Sequence, residues 1–150
     1  MRAKSALAVA AGLLVLACLW YVQAPPRSAD AYRERAVKTA ETLRSQVQTT
    51  RIWLRTVADD ESTRPAASVG FREAEEDAGN AASTFESYDP PTGTDALRRR
   101  LTTLAGEVTE ALAQVRIAAH RGQWRELPQR GAALAELSER LDELEEQAKS

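Results

Sequence analysis

The chain has little with which to do covalent or metal chemistry. It holds one cysteine, Cys18, and one histidine, His120. A lone cysteine excludes an intrachain disulfide, so the fold must hold by packing. Zinc sites need Cys and His clustered at short spacing, and no such cluster occurs. Di-iron bundles need Glu-x-x-His on facing helices. Position 117, three residues before His120, is Ile. A haem-attachment motif, a serine nucleophile elbow and a Gly-rich phosphate loop are also missing. Charge of one sign is missing too: 20 basic residues face 22 acidic ones, for a net charge of −2. That balance argues against a nucleic-acid partner. The sequence therefore predicts no catalytic residue, no cofactor and no metal, and a protein that is not an enzyme. Strand-like alternation of useful length is absent, which excludes a sheet.

What the chain does have is one long apolar run, residues 6–22 (ALAVAAGLLVLACLWYV), with Lys4 before it and no charge until Arg27. As a helix it would rise roughly 26 Å, just short of the roughly 30 Å hydrocarbon core of a bilayer. Trp20 and Tyr21 at its far end suit a headgroup region, and Arg2 and Lys4 precede it as in an export signal. Three fates compete. Cleavage after Val22 and Ala24 is opposed by Pro25. Lipidation at Cys18 is opposed by bulky Leu16 and by the apolar residues that follow. The reading taken is an uncleaved signal-anchor: a transmembrane helix over 1–22, a Pro25-Pro26 linker over 23–29, and a helical domain over 30–150. This predicts a single-pass cell-membrane protein, with residues 6–22 in the bilayer and the bulk of the chain extracytoplasmic.

Beyond the linker the apolar residues recur at alternating spacings of four and three, the mark of one helix face. The first stripe is Ala36, Ala40, Leu43, Val47, Thr50, Leu54 and Val57, on a helix over 30–58 capped by Asp30. The second is Ala67, Phe71, Ala74, Ala78, Ala81, Phe85 and Tyr88, over 66–88. Gly70 and Gly79 weaken it by about 1 kcal/mol each. The third is Leu97, Leu101, Leu104, Val108, Ala111, Val115 and Ala118, widened by Leu112 and Ala119, over 95–121, with Gly122 just past its end. The fourth helix starts within 123–129 and carries Leu127, Leu134, Leu137, Leu141, Leu144 and Ala148. Pro128 fits only its first turn. Four amphipathic helices with short connections predict an all-α fold, an antiparallel four-helix bundle behind the N-terminal transmembrane helix.

Up-down-up-down topology brings distant residues together. One end collects Trp53, Trp124, His120, Arg51, Arg55, Arg121 and Arg125. Trp and Arg are enriched in binding hot spots, so Trp124, His120, Arg121 and Arg125 are the expected partner contact. Trp53, flanked by Ile52 and Leu54, is expected to be the structural indole and Trp124 the more exposed one. The other end gathers Arg33, Arg35, Arg98-Arg99-Arg100 and an acidic tail at Asp142, Glu143, Glu145 and Glu146, expected to neutralise one another. The acidic runs Glu75-Glu76-Asp77 and 143–146 read as solvated faces.

The apolar run, the stretch AASTFESYDPP (81–91) and the stretch VRIAAHRGQW (115–124) together resemble a group of small actinobacterial envelope proteins of unknown function. That resemblance implies a membrane-anchored or exported helical protein and carries no activity or site. The expected function is a membrane-tethered, non-enzymatic module that contacts another envelope protein. The alternative is a helical bundle that binds a small ligand or lipid, itself anchored at Cys18.

Overall fold

In a computed structural model, the structure describes residues 28–59 and 62–149. They form four helices: α1 (Ala29–Ala58), α2 (Arg64–Glu86), α3 (Asp95–His120) and α4 (Leu127–Lys149). The helices run up, down, up and down. α1 packs on all three others, and the α1–α3 contact is the short diagonal of the bundle. α2 and α4 flank that diagonal and do not touch each other.

Local sequence explains where each helix begins and ends. Ser28 caps α1, its hydroxyl accepting from the Ala31 amide at 3.2 Å. Asp30, the expected cap, lies in the first turn and pairs with Arg33 at 3.1 Å. A carboxylate is favourable there because it faces the positive end of the helix dipole. α2 starts two residues earlier than its spacing suggests. Thr63 caps it, and Pro65 sits in the first turn, where its missing N–H is harmless. α3 ends on Gly122, whose φ of +74° is a backbone conformation glycine adopts without strain. The Gln123 amide then reaches the Ala118 carbonyl at 2.9 Å and the Gly122 amide reaches Ala119 at 3.0 Å. This paired turn satisfies the last carbonyls of the helix. Pro128 falls in the first turn of α4.

The core follows the four stripes. Ala36, Ala40, Leu43 and Val47 of α1 are fully buried, as are Ala67 and Ala78 of α2, Leu101, Val108 and Val115 of α3, and Leu134 and Leu141 of α4. Several buried residues lie outside the expected stripes, among them Gly70, Thr94 and Ala105. Tyr32 extends the α1 stripe by one turn and packs against Phe85 with ring centroids 5.2 Å apart. Burial pushes its phenol above the ordinary value; Arg98 opposes this and Asp95 adds to it. Ser138 and Glu145 of α4 are buried as well.

Each helix is charged along its outer side, as α1 is with Arg33, Glu34, Lys38 and Glu41. Accordingly, no helix among the described residues is long and apolar enough to cross a membrane. This corrects the expected architecture. What the structure shows is an all-α four-helix bundle. The transmembrane signal-anchor, the membrane partner through residues 6–22, the single-pass cell-membrane location and the membrane-tethered interaction module find no spanning helix to rest on among the described residues. Residues 6–22 themselves, with Cys18, lie outside the described residues.

Candidate functional site: the groove between α1 and α2

The four seams around the bundle are not alike. On the α1–α4 seam Arg44 pairs with Asp142 and lies 3.6 Å from Glu145. The hydrogen bond from Arg44 to Asp142 holds the guanidinium above its ordinary pKa, with burial acting against it. On the α3–α4 seam Arg140 grips Glu107 with two nitrogens, the second contact measuring 3.1 Å. On the α2–α3 seam Arg116 grips Glu75 in the same way, the second contact measuring 3.2 Å. Such two-pronged pairs fix geometry as well as charge.

The α1–α2 seam is joined by lighter contacts over its first half. Gln46 donates to Asp77 at 3.4 Å, and the Arg35 guanidinium lies 4.3 Å from the centre of the Tyr88 ring. Here a groove of about 760 Å³ runs along the bundle. α1 lines it with Ala31, Glu34, Arg35, Lys38, Thr39, Thr42 and Gln46. α2 and the residues after it contribute Asp77, Asn80, Ala81, Thr84 and Tyr88. Small side chains explain the space: Ala31, Thr39, Thr42 and Ala81 are half-buried in the seam and too short to fill it.

The lining is chemically mixed. Glu34 and Asp77 balance Arg35 and Lys38, so the groove carries no net charge. The Thr42 hydroxyl donates to the Lys38 carbonyl at 3.0 Å, and the Thr84 hydroxyl to the Asn80 carbonyl at 2.7 Å. Both keep lone pairs that can accept from a ligand. Tyr88 closes one end. It sits beyond α2 in a connection pinned from α3, where Arg98 donates to the carbonyls of Tyr88 at 3.5 Å and Glu86 at 3.3 Å. Among the described residues no group of three or more His, Cys, Asp or Glu side chains is placed to hold a metal ion.

The residues singled out in the sequence are placed as follows. Trp124 is half-buried against the core, with the Arg64 guanidinium 5.5 Å from its ring. His120, Arg121 and Arg125 are exposed near it. Trp53 is also half-buried, so the two indoles do not divide into one buried and one exposed. Its indole lies against Gly70, where a Cβ would sit 2.5 Å from Cε2 and 2.8 Å from Cδ1. Gly70 thus gives up helix stability to make room for Trp53. The acidic runs are not wholly solvated, since Glu75 holds Arg116 and Glu145 is buried. In the acidic tail, Asp142 and Glu145 are met by Arg44 of α1, while from the arginine run Arg100 reaches the neutral amide of Gln147. Sequence reasoning missed the groove. Its members Ala81 and Tyr88 appeared as stripe positions, and no one-helix pattern reports the space left between two helices.

No family model matches the chain, and no curated protein or solved structure matches it. The reading of its function therefore rests on its own geometry.

Proposed function

We propose that this bundle is a non-enzymatic binding protein that holds a small amphipathic ligand in the α1–α2 groove. The observation that carries the reading is the groove itself. Its volume of about 760 Å³ falls within the roughly 300–1,000 Å³ of small-molecule sites. It follows a seam lined by small side chains and hydroxyls, Ala31, Thr39, Thr42, Ala81 and Thr84. Balanced charges across its lining favour a head group that is uncharged or zwitterionic over one with net charge. Ala31, Ala81 and the Tyr88 ring offer apolar contact for a chain, while Thr39, Asn80 and Gln46 offer hydrogen bonds for a head.

The test is a titration of the full chain, followed by amide NMR, with dodecylphosphocholine below its micelle concentration. Dodecanoate and dodecyltrimethylammonium serve as singly charged comparators. Saturable shifts confined to residues 31–46 and 77–88, largest for the zwitterion, would support the reading. Shifts that do not saturate, or that spread evenly over the bundle, would count against it.

A further inference from the structure

A second cavity lies at the opposite end from Tyr88, where α1 ends and α4 begins. It measures about 250 Å³. Leu54 and Val57 of α1 and Leu127 and Pro128 of α4 give it one apolar wall, and Ser62 and two arginines make the rest of its rim polar. Leu54 and Leu127 are buried core residues, so the cavity opens onto the core of the bundle. Trp124 forms an aromatic wall. Its position is set by the turn at Gly122 and by a second turn in which the Glu126 amide reaches the Gln123 carbonyl at 3.1 Å.

Two cations stand at this cavity, Arg64 and Arg125. Both are exposed, and neither makes an ion pair with a described residue. Arg64 lies over the Trp124 ring at 5.5 Å, an arrangement that orders the guanidinium while leaving its donors unused. Elsewhere in the molecule Arg44, Arg116 and Arg140 each hold a carboxylate. Here two arginines border the recess, and none of the described residues that line it is a carboxylate.

From this we infer a second binding site, for a ligand with a compact apolar body and a carboxylate. The apolar body enters between Leu54, Val57 and Leu127 against Trp124, and the carboxylate meets Arg64 and Arg125. Guanidinium and carboxylate match in plane and donor spacing, which favours a carboxylate over a neutral polar group. The shared chemistry has two sources, a free small acid or the C-terminus of a polypeptide ending in an apolar residue. The site does not depend on the α1–α2 groove. Trp124 reports on one and Tyr88 on the other.

The experiment uses the full chain labelled with nitrogen-15. The indole resonance of Trp124 is assigned by its loss in Trp124→Phe. Phenylacetate is titrated against phenylacetamide, its neutral counterpart. A second arm uses an acetylated tripeptide ending in phenylalanine, as acid and as amide. The expected result is a saturable shift of the Trp124 indole with the acids and a response weaker by about tenfold with the amides. Arg64→Gln and Arg125→Gln should each weaken the acid by a similar factor. Both side chains are exposed, so an unchanged helical circular dichroism spectrum will certify these variants. Tighter binding of the peptide acid than of phenylacetate identifies a polypeptide terminus as the source, and the reverse identifies a free acid. No saturable shift with any acid, or equal responses to acid and amide, overturns the proposal.

Discussion

α1 is flanked by α4 on one side and α2 on the other, and the two seams are built differently. α4 brings five buried leucines, Leu127, Leu134, Leu137, Leu141 and Leu144, and an arginine clamp closes the seam from α1. α2 brings two large side chains, Phe71 and Phe85; its other buried positions are Ala67, Gly70, Ala74 and Ala78. Both helices show the same amphipathic spacing. Spacing decides that a helix forms and which side it buries. Side-chain volume decides whether the seam it makes is filled. The leucine seam keeps only smaller recesses at its two ends, of about 420 and 250 Å³, whereas the alanine seam leaves the larger groove of about 760 Å³.

The sharpest way to break this comparison is to truncate one large residue on each side. Removing Phe71 takes away one of the two large anchors of α2, whereas Leu141 has four leucine neighbours in sequence to share its load. Phe71→Ala is expected to cost about 3–5 kcal/mol and Leu141→Ala about 2–4 kcal/mol. Chemical denaturation of the full chain measures both. A larger loss for Leu141→Ala would mean that α2 is held by something besides its phenylalanines.

The clamp gives the next largest effect. Glu145 is 4% exposed and has Arg44 at 3.6 Å and Lys149 at 3.7 Å. Arg44→Met leaves that buried carboxylate short of its partner. Losses of about 3–5 kcal/mol are typical of fully buried pairs. The Arg44 side chain is one-third exposed, so solvent screening reduces the expectation to about 2 kcal/mol. Adding Glu145→Leu should recover most of it, because the charges then left without these partners, Asp142 and Lys149, are about half exposed and stay hydrated. On the α2 side, Asp77→Asn should change stability by no more than about 0.5 kcal/mol, since its hydrogen bond to Gln46 is exposed.

Gly70 sharpens the comparison from within the alanine seam. Alanine is a better helix former by about 1 kcal/mol, yet its methyl group would occupy the place of the Trp53 indole. Overpacking of this kind costs about 1–3 kcal/mol. Gly70→Ala should therefore destabilise by about 1 kcal/mol and move Trp53 emission towards that of a solvated indole. A stabilised protein with unchanged emission would show that the indole does not need the gap.

The smallest effect concerns pH. The hydrogen bond from Arg140 holds the Glu107 carboxyl below its ordinary value, against the opposing effect of burial. A carboxyl depressed in the folded state contributes stability above its unfolded pKa and loses it as pH falls through the folded one. The loss thus belongs to the acid window at and below the ordinary glutamate range. Glu107 is 41% exposed, so the contribution is a few tenths of a kcal/mol. Glu107→Gln should lower stability by that amount at neutral pH and flatten the acid side of the profile slightly.

These contrasts also show what the sequence could express. The four stripes, the Gly122 stop and the position of Pro128 were legible because each is a property of one helix or one turn. Tyr32 escaped because the expected stripe began at Ala36, one turn too late. Glu145 escaped because it lies in an acidic run and its burial depends on Arg44, 101 residues earlier in the chain. Gly70 read as a weakness of α2 because its partner Trp53 lies on another helix. The groove is the extreme case. It is set by the distance between two helices and by side chains too small to close it, and neither quantity is periodic in sequence. The membrane reading arose from residues 6–22, a local signal that the amphipathic helices of the bundle do not share.

The most direct test of the binding reading is calorimetric titration of dodecylphosphocholine, below its micelle concentration, into the wild-type chain and into Ala81→Trp. Ala81 is half-buried in the groove lining, so an indole there fills the groove from the α2 side with little disturbance of the core. Saturable one-to-one binding to the wild type, lost in a variant that retains its helical spectrum and cooperative melt, is the predicted result. Equal binding to both proteins would contradict it.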